Sequence, residues 1–288
     1  MSDWPVGLST GCFSQTSILD CLEVIRAGGF CMLEICSFPA HLDYHDQDKV
    51  KSTAVRMREM GMEAYSFHAP FSAKIDITAL DPEQKEHSLR EITLAAEAAA
   101  ILQCRYFVIH PGPEHAYQPP AEELFRRMKN AAGVLAHVAT RCNQLGVHCV
   151  LENMLPHLLF GHTSNIMWIM GALEGATVGT CLDTGHAYLS GDIYSVTHKL
   201  SGHLQMVHVN DNRGSHDDHL PPGLGKIDWR RLLSQLTSSD FRGGMILELA
   251  GNRQASQILH EARNARNHLR NIGRLISFER LRSAADEK

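Results

Sequence analysis

Eight short apolar runs punctuate this chain, and most of them end on an acid or an imidazole. The runs cover residues 6–10, 32–36, 63–67, 106–110, 148–152, 178–183, 205–209 and 245–249. Several are almost continuously apolar, which is the pattern of strands buried on both faces of a parallel sheet. Their starts lie about 26 to 43 residues apart, enough for a loop, a helix and a return loop. The intervening segments carry that helical signal at 18–27, 48–60, 82–102, 121–145, 165–173, 193–200, 229–236 and 255–274. Gly28, Gly61 and Gly146 follow three of them, and Asp81 and Pro82 suit an N-cap and a first turn. Residues 281–288 read as a frayed polar tail. Strand then helix, eight times, predicts a closed (β/α)8 TIM barrel. An open doubly wound sheet would carry a glycine-rich phosphate loop after its first strand. Ser9-Thr10-Gly11-Cys12-Phe13 has a single glycine there. The 288 residues suit one such barrel, typically about 250 residues long. With no linker or low-complexity tract, residues 1–288 read as a single domain.

The run ends place His68, His110, Glu152, Asp183, His208 and Glu248 in order along the chain. His186 lies three residues after Asp183, and Asp217-x-His219 follows His208. A charge inside an apolar strand is costly to bury unless it is paired or bound to a metal. Taken singly, Glu152 also reads as half of a buried ion pair. His68 and His110 likewise read as substrate contacts or as hydrogen-bonded core histidines. Their repetition at successive strand ends argues for a metal site at the C-terminal mouth of the barrel, where this fold builds its active sites. Three carboxylates and one imidazole, from Glu152, Asp183, His208 and Glu248, suit Mn2+, Mg2+, Co2+ or Zn2+. Asp217 and His219 share one side of an extended loop, and spacing does not separate them from Asp211, His216 and Asp218. Arg213 is a candidate for holding a substrate oxygen or phosphate, and equally for a surface salt bridge.

Net charge is −5 and the pI is near 6.4, so there is no general electrostatic pull on nucleic acid or anionic membranes. None of the eight cysteines forms a C-x-x-C pair, which suits reduced core thiols in a cytoplasmic protein. The opening Met-Ser-Asp-Trp-Pro has no basic start or apolar stretch, and no secretory signal is expected. No run of eighteen apolar residues is present, so no membrane span is expected. Nothing in the pattern marks an oligomer interface, and homo-oligomerisation stays open.

The motifs resemble the xylose-isomerase-like barrel superfamily, which includes sugar phosphate isomerases and epimerases and endonuclease IV-type proteins. The resemblance runs from Val6 to about Ile276. It rests on His-Ala-Pro at 68–70, His-Pro-Gly at 110–112, Leu-Glu-Asn at 151–153, Leu-Asp-Thr-Gly-His at 182–186, His-Val-Asn-Asp-Asn at 208–212, Asp-Asp-His-Leu-Pro-Pro-Gly at 217–223 and Leu-Glu at 247–248. In the isomerase branch it implies one divalent ion on Glu152, Asp183, His208 and Glu248. Glu152 and Glu248 would also move the proton of a cis-enediolate mechanism. His186 and Arg213 would orient substrate hydroxyls, with His68 and His110 as further contacts. In the endonuclease IV branch the resemblance implies three zinc ions and phosphodiester cleavage. There His68, His110 and Glu152 would hold the first ion, and Glu152, Asp183, His208 and Glu248 the second. His186, Asp217 and His219 would hold the third. A keto-acid or sugar lyase would use the same ligands, and a metal-stabilised binding module would use them without turnover. Lys226 stands where the related Gly-Glu-Gly motif carries an acid, a departure from the pattern. The acidic balance, the sparse Arg and Lys near the strand ends and the short 13–20 connection favour a small carbohydrate substrate over nucleic acid.

Overall fold

A computed structural model describes residues 4–114, 116, 118–173 and 176–286. Its strands are β1 (Val6–Ser9), β2 (Met32–Cys36), β3 (Glu63–His68), β4 (Tyr106–Ile109), β5 (His148–Glu152), β6 (Val178–Asp183), β7 (Leu204–Val209) and β8 (Gly244–Leu247). They close into one parallel barrel in sequence order. β8 returns to β1, with Val6 opposite Met245 and Leu8 opposite Leu247. The helices are α1 (Ile18–Ala27), α2 (Gln47–Glu59), α3 (Pro82–Ile101), α4 (Ala121–Gln144), α5 (Thr163–Ala172), α6 (Thr184–Leu189), α7 (Ile193–Leu200), α8 (Trp229–Ser238) and α9 (Ala255–Asp286). The sequence therefore predicts the (β/α)8 class correctly.

Strand periodicity decides what fills the barrel. Side chains alternate between faces along a strand. Cys149 and Leu151 of β5, Leu182 of β6 and Val207 and Val209 of β7 join the large core between sheet and helices. Val150, Cys181, Met206 and Ile246 turn inward with Tyr65, Tyr106 and Val108 to plug the barrel interior. Two residues above that plug, the same alternation brings Glu152, Asp183, His208 and Glu248 to the inner face. The ligand types are thus a direct product of a period of two, standing on an apolar floor.

Several boundaries differ from the sequence reading for local reasons. Residues 10–13 form a 3-10 turn that Ser9 caps, so β1 stops at Ser9. Asp183 ends β6 and also caps α6, its carboxylate accepting from the His186 N–H. The sequence reading does not predict α6, because six residues carry too little periodicity. α9 continues to Asp286, past the predicted end at 274 and into the predicted tail. No glycine or proline stops it after Gly273. Residues 287 and 288 of that tail lie outside the described residues.

Among the described residues, no helix is long and apolar enough to cross a membrane. All eight cysteines are free, and only Cys31 is exposed.

Phe107 is fully buried between barrel and helices, stacked on Phe67 with ring centroids 6.1 Å apart. Phe107→Ala is expected to destabilise the fold by about 3–5 kcal/mol. Equilibrium urea unfolding followed by circular dichroism measures this, and an unchanged midpoint would contradict the packing described.

Candidate metal centre

Glu152 is the hub of the barrel mouth. It is 1% exposed, and its carboxylate is ringed by imidazoles. Oε1 lies 3.1 Å from His208 Nδ1, and Oε2 lies 3.2 Å from both His68 Nε2 and His110 Nε2. Glu248 approaches from β8, its Oε2 3.4 Å from the same His208 Nδ1. Three sets of donor atoms converge, each within 4.8 Å of one another. They are Glu152 with Asp183, His208 and Glu248; His68 with His110 and Glu152; and His186 with Asp217 and His219. All nine residues singled out in the sequence as ligands thus fall into three groups, two of which share Glu152.

Each of the five histidines is held from outside by one ring nitrogen. Nδ1–H donates to Ala69 O from His68 (2.9 Å), to Asn153 O from His186 (2.8 Å) and to Glu248 O from His219 (2.9 Å). A carbonyl only accepts, so the proton sits on that nitrogen and the other presents its lone pair inward when the ring is neutral. His110 Nδ1 bonds Glu114, and His208 Nε2–H donates to Glu34 at 2.8 Å. Such outer contacts orient metal-bound imidazoles. His208 Nδ1 and Asp217 Oδ1 are both buried without a hydrogen-bond partner. Buried polar atoms are costly in that state; a cation held with Glu152, Asp183 and Glu248 would satisfy His208 Nδ1, and one held with His186 and His219 would satisfy Asp217 Oδ1. The donor set therefore fits a divalent ion.

The loops are tied down as firmly as the side chains. Asn153 bonds Asp183 twice, accepting its N–H at 2.8 Å and donating to its carbonyl at 3.0 Å. Asn210 Nδ2 donates to Asp183 Oδ2 at 2.6 Å. Gly185 is needed beside it, because a Cβ there would overlap Asn210 Oδ1. Asp211 accepts from the N–H groups of Gly223 and Ile227 and from the Trp229 indole. That clamp anchors the loop carrying Asp217 and His219. His219 has φ +46°, a left-handed conformation rare outside glycine. It is held by its ring bond and by the Ala250 N–H on its carbonyl.

Electrostatics separate the two glutamates. Burial alone would raise Glu152, but His208 and His110 outweigh it and hold the carboxylate well below its usual range. Burial raises Glu248, and the neighbouring Glu152 charge adds to the rise. Burial opposes charging His110, yet Glu152 and Glu114 raise it to about 10. Against the same opposition, Asp183 and Asp217 raise His186 to about 9. Asp217 and Glu248 do likewise for His219, to about 10.

A cavity of about 320 Å3 opens above this centre. Glu152, Glu248 and the four histidines other than His208 line it, while Asp183 and His208 are fully buried beneath. Phe38, Phe71, Leu155 and Leu249 supply an apolar wall, and no described lining residue is a lysine or arginine. Arg213 is exposed and lies outside the lining, its backbone N–H bonded to Asp218. Sequence reasoning missed Glu34 and Glu114. Glu34 interrupts the apolar Met-Leu-Glu-Ile-Cys run, which is the same signal that marked Glu152. Glu114 sits in a loop with no periodicity to mark it.

The raised histidines set a pH dependence for the metal-free protein. A histidine elevated on folding adds stability that is complete below its unfolded pKa, near 6.5. That stability is lost as pH rises through the folded value. The melting temperature of chelator-treated protein is expected to fall between pH 6.5 and about 10, while metal affinity rises because protons compete for the same nitrogens. Thermal melts across that range check this, and a flat or rising profile would contradict it.

Known proteins resemble this chain in sequence and in fold. A "Probable endonuclease 4" from Mycobacterium marinum (strain ATCC BAA-535 / M) is 25% identical over 237 residues, covering 79% of this chain and 88% of its own length. The crystal structure of a D-tagatose 3-epimerase-like protein superposes with a TM-score of 0.82 at 22% identity, covering 96% of this chain and 99% of its own. The crystal structure of IOLI protein with a binding zinc atom superposes with a TM-score of 0.79 at 18% identity, covering 92% and 97%. Residues 22–272 match the family described as xylose isomerase-like TIM barrel, and the chain belongs to that family.

Proposed function

We propose that this protein is a divalent-metal-dependent isomerase or epimerase of a small carbohydrate. One observation carries the reading. Glu152 at the end of β5 and Glu248 just past β8 converge on one imidazole nitrogen, and both open into the cavity. Two carboxylates with divergent proton affinities are the arrangement for taking a proton from one carbon and returning it. Glu152, Asp183, His208 and Glu248 would hold the ion. When bound, it supplies Lewis-acid stabilisation of negative charge on the substrate's carbonyl and adjacent hydroxyl oxygens. Glu152 and Glu248 would act as base and acid on the carbon beside the carbonyl. His186, His68 and His110 present ring nitrogens to the cavity and would orient hydroxyls. Arg213 would meet only a substrate group that extends past the rim. Similarity to D-tagatose 3-epimerase-like and zinc-bound IOLI structures supports this reading. Among the described residues the lining has no ammonium or guanidinium group, which favours an unphosphorylated sugar.

A second reading, an endonuclease 4-like phosphoesterase with three zinc ions, is favoured by the convergence of all three donor groups and by the M. marinum relative. The acidic net charge and the lining weigh against a nucleic-acid substrate.

Two measurements separate the readings. Metal analysis after chelator-free purification is expected to give about one divalent ion per chain. Incubation with free ketoses in D2O is expected to place deuterium beside the carbonyl. In Glu248→Gln that exchange is expected to fall at least about 100-fold, as loss of a general acid–base group implies. About three zinc ions per chain, with cleavage of abasic DNA and no sugar exchange, would replace the first reading with the second.

A further inference from the structure

We propose that Glu34 is a positioning residue that fixes the His208 ring, so that Nδ1 faces the ion held with Glu152, Asp183 and Glu248. The inference rests on the metal reading above, but on residues outside the three donor groups.

Glu34 sits in the middle of β2, fully buried. Along β2, Leu33 and Ile35 join the outer core and Met32 packs on the interior plug, so the strand's alternation aims the Glu34 carboxylate into the barrel. The β2–β3 register shifts there, with Leu33 opposite Ala64 and Glu34 opposite Ser66, so β3 carries the extra residue and sets Ser66 against the carboxylate. Oε2 accepts two hydrogen bonds, from His208 Nε2–H at 2.8 Å and from Ser66 Oγ–H at 2.8 Å. Oε1 is buried with no partner.

A packing role does not account for this. A buried carboxylate with one oxygen unsatisfied is costlier than an apolar side chain of the same volume. The plug around it is built of such residues, including Val108, Val150, Met206 and Ile246. What the carboxylate does contact is the far side of His208, whose near nitrogen has no hydrogen-bond partner of its own. An imidazole held by a carboxylate at one nitrogen has a fixed tautomer, a fixed orientation and a more electron-rich second nitrogen. Glu34 therefore acts through His208, and touches neither ion nor substrate.

The test compares the wild-type protein with Glu34→Gln and Ser66→Ala. Glutamine preserves the volume and can still accept the His208 bond, but lacks the charge. Three readouts apply: melting of the metal-free protein, Zn2+ affinity by competition with a chromophoric chelator, and the visible spectrum of the Co2+-loaded protein. Glu34→Gln is expected to melt within a few degrees of wild type, to lose about 10- to 100-fold in Zn2+ affinity, and to shift the Co2+ bands. Ser66→Ala removes one of the two bonds on the carboxylate and is expected to lower affinity in the same direction by a smaller factor. It carries the test by itself if Glu34→Gln does not fold. Unchanged affinity and spectrum in the folded variant, beside their loss in Asp183→Asn, would overturn this inference alone. A wild-type protein that takes up no ion would overturn the metal reading along with it.

Discussion

The barrel mouth depends on keeping an almost fully buried carboxylate ionised at the floor of the cavity. Glu152 is buried at the end of β5 and has three imidazoles within 3.2 Å. Removing a carboxylate from water costs several kcal/mol even after relaxation, so those imidazoles must compensate it, either as cations or as co-ligands of one. The neighbouring acids and histidines extend the same balance outward. Protons and metal ions are alternative ways to neutralise one constellation, and the geometry suits either.

The scaffold contributes by fixing the outer ends of the ligands. Carbonyls of Ala69, Asn153 and Glu248 and carboxylates of Glu34 and Glu114 each hold one imidazole. Five rings are oriented by five separate elements, so displacement of one need not release the others. Asp211 does for the β7–α8 loop what these groups do for the rings. Rigidity on this scale is what a positioned acid–base pair requires, because a displacement of about 1 Å can cost 100-fold in rate.

Much of this was legible in the sequence, for a physical reason. Strands buried on both faces read as apolar runs, so an acid at a run's end is conspicuous, as with Glu152, Asp183 and Glu248. The (β/α)8 class follows from counting the same runs. What escaped lacks that position or that contrast. Glu34 breaks its apolar run as Glu152 does, but it lies mid-run and not at the end where the ligands gather. Glu114 lies in a loop, and its value comes from one contact with His110. α6 is too short for a periodic signal and exists because Asp183 caps it, a second duty for a residue already conspicuous for another reason. α9 runs past the predicted end at 274 because its polar, charged last turns carry little apolar periodicity yet contain nothing that stops a helix. Arg213 stood out by its place after β7, and the fold turns it to solvent.

The closure of β8 onto β1 has a consequence for how the centre comes into being. The donors arrive in chain order from residue 68 to residue 248, and the strand that seals the barrel comes with the last of them. A nascent or clipped chain ending before Gly244 carries Glu152, Asp183 and His208 but neither the sealing strand nor Glu248. Contacts spanning some 240 residues, such as Val6 with Met245, form late because the intervening loop must first be closed. Competence and completeness are therefore coupled: only a chain synthesised through its last strand can assemble the site.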